Sequence, residues 1–175
     1  MASHQPQELH VRHVLEHEGS RLRELRLSSL AADPDAFAST CARERAFAPE
    51  RWQQWAADSD DGARQRTFVV ADGGDRWLGL ALVRGDAPGS AAAVLNAMWV
   101  APEARGRRAA LALCDACAAW AAARGYAELT LEVVIGNQSA LRAYEAAGFV
   151  IRGETTWTGG GRTLHEYLMA RTLGR

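Results

Sequence analysis

LTLEVVIGNQSALRAYEAAGF, residues 129–149, is the stretch whose reading decides how this chain folds. Leu129 to Ile135 is an apolar run of strand length, and it predicts a strand buried on both faces. Gly136 turns the chain, Asn137 offers its side chain as a cap, and a helix follows through Ala147 until Gly148 ends it. Working backwards, Ala91 to Val100 predicts a strand and Ala109 to Arg124 a helix, with Leu113, Cys117 and Trp120 on one stripe and Gly125 at its end. Strand, helix and strand in succession make a crossover, which joins parallel neighbours in a sheet.

Further out, the signals are those of hairpins. Thr67 to Ala71 and Trp77 to Val83 flank a Gly73-Gly74 turn, and Phe149 to Thr155 and Thr163 to Met169 flank Gly159-Gly160-Gly161. Leu9 to Val14 alternates weakly and reads as an opening strand. A helix follows it up to the Asp33-Pro34 break, and a second short one starts near Pro49 with Trp52 and Trp55 on one face. Short linker-like stretches fall at Asp58 to Gly62, Asp72 to Asp75, Gly85 to Ser90 and Thr158 to Arg162. The order βααβββαβαββ predicts an α/β fold, a mixed and mostly antiparallel sheet with one parallel junction, flanked by helices. With 175 residues, 48% of them hydrophobic, a single domain over residues 1–175 is expected.

Twenty arginines, no lysine and 21 acidic residues leave a net charge of -1, which removes the bulk electrostatic argument for a nucleic-acid or anionic-membrane partner. The opening residues lack an apolar signal-like run, and the longest apolar stretch, Ala109 to Ala123, is too short to span a bilayer and contains Asp115. Cys41, Cys114 and Cys117 are too few for a disulfide framework, so a cytoplasmic, reducing compartment is expected. Cys114 and Cys117 have the spacing of a redox or half-zinc motif. They lie one turn apart in an alanine-rich helical run without a second ligand pair, so they read as small apolar residues and no metal is expected.

Chemistry concentrates where the Ala91 to Val100 strand runs into APEARGRRAA, residues 101–110. Three arginines and the free amides of a helix N-terminus make an anion site suited to a pyrophosphate. Glu132 is a carboxylate in an otherwise apolar strand, which needs either a partner such as an arginine or a cleft. Tyr144 either packs through its ring or presents a protonated phenol, whose reference pKa is about 10.

The pairing of V-A-P-E-A-R-G-R-R-A-A with L-E-V-x-x-x-N-x-x-A-x-x-x-Y-E-x-x-G-F resembles the GNAT superfamily of acetyl-CoA-dependent N-acetyltransferases. The resemblance implies a splayed pair of parallel strands, near Trp99 to Val100 and Leu131 to Ile135, that part to admit the pantetheine arm. It implies that amides of Arg105, Gly106, Arg107, Arg108, Ala109 and Ala110 hold the pyrophosphate and that Asn137 lies near the pantetheine or leaving sulfur. It also implies that the Val100 N–H polarises the thioester carbonyl. By the same likeness Tyr144 is the general acid. The glutamate of histone-type relatives is replaced by Val94, and Glu132 matches the proposed base of ribosomal-protein alanine acetyltransferases. Arg108 departs from the family's usual R/Q-x-x-G-x-G/A loop, and must tolerate the backbone conformation that glycine adopts there.

These likenesses imply an enzyme that moves acetyl from acetyl-CoA to a primary amine of a small molecule, antibiotic, peptide or protein, with a homodimer compatible with the family. The competing reading is a degenerate acyl-CoA-binding or regulatory domain without turnover, suggested by Arg108 and Val94. For the acceptor side, Trp52, Trp55, Trp99 and Trp157 are wall candidates, Asn96 could hold a relaying water, and His165 is a further candidate.

Overall fold

The computed structural model describes residues 8–86 and 90–174, so part of the Gly85 to Ser90 linker lies outside the described residues. The strands are β1 (His10–His13), β2 (Gln65–Ala71), β3 (Trp77–Gly85), β4 (Ala92–Val100), β5 (Glu128–Val134), β6 (Val150–Gly159) and β7 (Arg162–Thr172). The α-helices are α1 (Gly19–Ala32), α2 (Cys41–Arg45), α3 (Pro49–Asp61), α4 (Ala109–Ala123) and α5 (Gln138–Ala146). The short α2 is an addition to the expected order. Thr40 caps it by accepting from the Arg43 amide at 3.2 Å, and a buried Arg26–Glu44 ion pair at 2.8 Å ties it to α1. Asp58 to Asp61, expected in a linker, form the last turn of α3, which Gly62 ends in a left-handed conformation at φ +65°.

The seven strands form one sheet in the order β1-β2-β3-β4-β5-β7-β6, and all neighbours are antiparallel except β4 and β5. That pair is joined only over Ala92↔Glu128, Ala93↔Leu129 and Val94↔Thr130, after which the strands part. A bulge sits where they separate: between Leu80↔Trp99 and Leu82↔Asn96 two residues of β4 oppose one of β3, and Ala97 takes φ +52°. A bulge bends its strand, and here it accompanies the departure of β4 from β5.

Register fixes the two faces. Leu129, Leu131 and Val133 are buried, at 0%, 1% and 5% exposure, whereas Glu132 between them is exposed. The expectation of a strand buried on both faces is therefore corrected: β5 alternates, because only one of its faces is covered by the apolar stripe of α4. Arg171, on the same face as Leu129 by pairing, reaches Asp115 of α4 at 2.7 Å. Leu113, Cys114, Cys117 and Trp120 pack from α4 into this core, and each fully buried leucine there contributes about 2 kcal/mol. On the opposite face, Arg162 of β7 donates to the carbonyls of Phe37 and Pro34 at 3.3 and 3.1 Å, holding the connector that follows α1 over the sheet.

Candidate active site

The parting of β4 and β5 opens a cleft of about 670 Å³. One wall is the turn before α4 and that helix's first residues, Arg105, Gly106, Arg108, Ala109, Ala110 and Leu111. The other is α5, through Asn137, Ala140, Ala143 and Tyr144, while Met98, Trp99 and Val100 of β4 form the floor. Arg108 is the cap residue of α4 and takes φ +61°, ψ +15°, so arginine does adopt the left-handed conformation that glycine adopts easily. Behind it the first-turn amides of α4 have no partner within their own helix and lie at the positive end of its dipole. Arg107 stands beside the lining residues in this turn and has its own interaction.

Asp33, just past α1, connects the floor to the turn. Its carboxylate accepts from Trp99 Nε1 at 2.6 Å and from Arg105 Nη2 at 2.9 Å, while Arg105 Nε donates to the Val100 carbonyl at 3.0 Å. Arg105 thus occupies a strand-edge acceptor of β4, and a ligand that pairs with this carbonyl has to displace it. Asp33 and Phe37, which also line the cleft, were missed by sequence reasoning because the connector has no periodicity. The Asp33-Pro34 break was visible only as a helix end.

Asn137 caps α5, its Oδ1 accepting from the Ala140 amide at 3.2 Å. About two turns on, Tyr144 is 8% exposed and meets the ring of Phe149 edge-on at 5.9 Å between centroids. Burial raises its phenol well above the ordinary range, with smaller contributions from Cys114 and Cys117, so the hydroxyl keeps its proton at neutral pH. Cys114 and Cys117 are both fully buried; burial pushes the first thiol up to about 12 and the second well above its usual value. Neither is a nucleophile or a metal thiolate at neutral pH.

The remaining predicted residues divide between two faces. Asn96 shares the outward face with Glu132, since Val94 pairs with Thr130, and its Nδ2 is buried without a partner. Glu166, which sequence reasoning also missed, lies on that face of β7 opposite Val134 and is 7% exposed. Burial raises its carboxyl above the usual range, and the charge of Glu132 adds to the shift. His165, one residue away, points to the other face and contacts Thr156 Oγ1 at 3.4 Å. Trp157 lies opposite Leu164, on Glu166's face. Trp52 and Trp55 do not line the cleft: they stack at 5.7 Å, Trp52 is 1% exposed, and Trp55 Nε1 donates to Thr67 of β2 at 2.9 Å. They pack α3 against β2, away from the cleft.

The model of the Acetyltransferase (GNAT) family matches residues 27–149. No curated protein matches the chain. Among solved structures, a GNAT-family acetyltransferase from Streptococcus pneumoniae is 20% identical with a TM-score of 0.80, covering 95% of this chain and 100% of that one. The spermidine N-acetyltransferase of Vibrio cholerae, solved with CoA and spermine, is 18% identical with a TM-score of 0.74 over 94% and 95% of the two chains. A phosphinothricin acetyltransferase from Sinorhizobium meliloti, solved with acetyl-CoA, is 19% identical with a TM-score of 0.75 over 95% and 89%. At these identities the likeness concerns the fold.

Proposed function

The chain belongs to the GNAT family of acetyltransferases, and from that premise we propose that it is an acetyl-CoA-dependent N-acetyltransferase acting on a primary amine. The observation that carries this reading is the cleft itself. It brings a helix start with free amides, an edge of β4 and a buried, protonated tyrosine to one cavity, which suits a diphosphate, an amide-bearing arm and a thioester. The amides of Ala109 and Ala110, with the guanidinium of Arg108, hold the diphosphate. The backbone of Met98 to Val100 receives the pantetheine arm once Arg105 withdraws from the Val100 carbonyl. Asn137 keeps the start of α5 fixed beside the sulfur.

Tyr144 gives its proton to the departing thiolate. The nucleophile approaches from the face that carries Asn96 and Glu132, opposite α4, and Glu132 meets it as the carboxylate that draws off an amine proton. The acceptor classes in view are small molecules, antibiotics and peptide or protein amines; spermidine and phosphinothricin, taken by proteins of the same fold, head the panel. The unbonded cysteines favour a reducing, cytoplasmic setting.

The test mixes purified protein, acetyl-CoA and an amine panel and follows release of free CoA thiol. Turnover of at least one amine is expected. Tyr144→Phe should lower kcat roughly a hundredfold while CoA binding, measured by calorimetry, is unchanged. Tight CoA binding with no amine acetylated would favour the domain without turnover, and a Tyr144→Phe variant with normal kcat would remove the tyrosine from the chemistry.

A further inference from the structure

We propose that the Arg105 side chain bars the strand edge where the cofactor arm pairs and that Asp33 holds it there, so that seating the arm means drawing one guanidinium off two acceptors at once. The restraint rests on the acetyl-CoA reading above and adds to it a built-in control of cofactor binding.

Strand geometry sets up the conflict. The Ala101 amide donates across the sheet to the Leu78 carbonyl at 2.8 Å. Backbone groups of successive strand residues point to opposite edges, so Val100 turns its carbonyl to the edge that β5 has left. An amide-bearing arm entering between the two strands pairs with that carbonyl, and Arg105 Nε already fills it at 3.0 Å. Val100, Arg105 and Asp33 all line the same cleft, which puts the guanidinium in the path of the arm.

The way Arg105 is held makes this a restraint. Nε and Nη2 lie on one edge of the planar guanidinium, and they engage the Val100 carbonyl and Asp33 Oδ2, the latter at 2.9 Å, as a two-pronged fork. One rotation of the side chain breaks both bonds. Asp33 is fixed in its turn: its backbone amide closes the end of α1 on the Ser29 carbonyl at 3.1 Å, and the same Oδ2 accepts from Trp99 Nε1 at 2.6 Å. The incoming arm offers a neutral amide N–H in place of a charged donor, so the exchange at Val100 trades a stronger bond for a weaker one. The side chains of Arg105 and Asp33 are 47% and 37% exposed, which lets water soften the pair and keeps the cost moderate.

Asp33 also lines a neighbouring cavity of about 410 Å³, between the connector that follows α1 and the turn from β5 into α5. Once Arg105 is drawn off, Trp99 is the side-chain partner left to that carboxylate among the described residues. Filling the cofactor edge is therefore felt, through Asp33, at the wall of the second cavity.

The experiment measures binding of CoA and of pantetheine to the intact wild-type chain, Arg105→Lys and Asp33→Asn, with near-ultraviolet circular dichroism as the check on folding. Lysine keeps the charge but has no fork to bridge both acceptors, and asparagine keeps an oxygen for Trp99 Nε1 while loosening the grip on Arg105. Pantetheine carries the amides of the arm without the phosphates, so a change of net charge does not bias it. Both variants should bind both probes about three- to tenfold more tightly than wild type, since a larger share of molecules has the edge open. In nitrogen-15 spectra the Arg105 Nε–H should lose its protection from exchange when CoA is added, and the Trp99 indole signal of Arg105→Lys without CoA should be displaced from that of wild type. CoA binding to folded Arg105→Lys that is no tighter than to wild type overturns the restraint and leaves the acetyl-CoA reading standing, as does an Arg105 signal indifferent to CoA. A Trp99 signal unmoved by Arg105→Lys overturns the link to the second cavity. Should Asp33→Asn fail to fold, Arg105→Lys decides alone. If none of the three proteins binds CoA, the acetyl-CoA reading and the restraint fall together, an outcome set apart from the first by the lack of any binding.

Discussion

Arg108 sits where the backbone approaches an anion most closely, and it does so at φ +61°, a conformation that costs an L-residue with a side chain about 1–2 kcal/mol. What the strained arginine offers in return is a guanidinium at the rim of the cleft. The two effects separate in Arg108→Gly. That variant should be more stable by about 0.5–1 kcal/mol in urea, because relief of strain outweighs the extra freedom of glycine in the unfolded chain. It should bind CoA about five- to tenfold more weakly, a gap that narrows as salt rises. Equal affinity in both proteins would show that Arg108 does not touch the phosphates. Glycine in the family pattern made this position conspicuous in the sequence, but only the dihedral angles reveal that arginine keeps the glycine conformation.

At the scale of elements, the site depends on how closely β3 and β4 approach beside the bulge. Gly79 pairs with Val100, and a Cβ on it would stand 2.6 Å from the Trp99 carbonyl oxygen and 3.2 Å from the Val100 Cα. Backbone atoms cannot step aside as a flexible side chain would. Gly79→Ala should therefore cost about 2–3 kcal/mol in urea denaturation and weaken CoA binding, since the floor of the cleft moves with β4. A fully stable variant with normal CoA affinity would show that the strand pair yields easily. The seven strands and most of the helices were legible because each is bounded by glycine, proline or a capping side chain. The five-residue α2 was not, since its stability comes from a buried ion pair with α1 and not from periodicity. Glu132 looked buried because a run of apolar neighbours hides which face is covered, and that depends on where α4 packs. Glu166 passed unnoticed for a related reason: one carboxylate in the alternating last strand reads as solvent-facing, although the fold leaves that residue 7% exposed.

For the molecule as a whole, two carboxylates pull acid stability in opposite directions. Glu18 joins β1, α1 and the β2–β3 turn. It accepts from Arg12 at 2.7 and 2.8 Å and from Arg21 at 2.9 Å, and both arginines also reach Asp75 and stack over Trp77. The Arg12 hydrogen bonds hold its carboxyl down at about 2, below its reference value of 4.5. A depressed native value means that the unfolded chain binds the proton first, so the stabilisation is complete above 4.5 and drains away as pH falls toward about 2. Glu166 has the reverse sign. Its raised native value makes the folded state the better proton binder, so its contribution is full below 4.5 and is lost as pH climbs through the native midpoint. Melting curves across pH should separate them. Glu18→Gln should destabilise the protein by about 2 kcal/mol at neutral pH, with the deficit shrinking in acid. Glu166→Gln should raise the melting temperature at neutral pH and lose that advantage in acid. A Glu18→Gln deficit that did not change between neutral pH and pH 3 would mean that packing, and not the charge on Glu18, ties the first strand to the first helix.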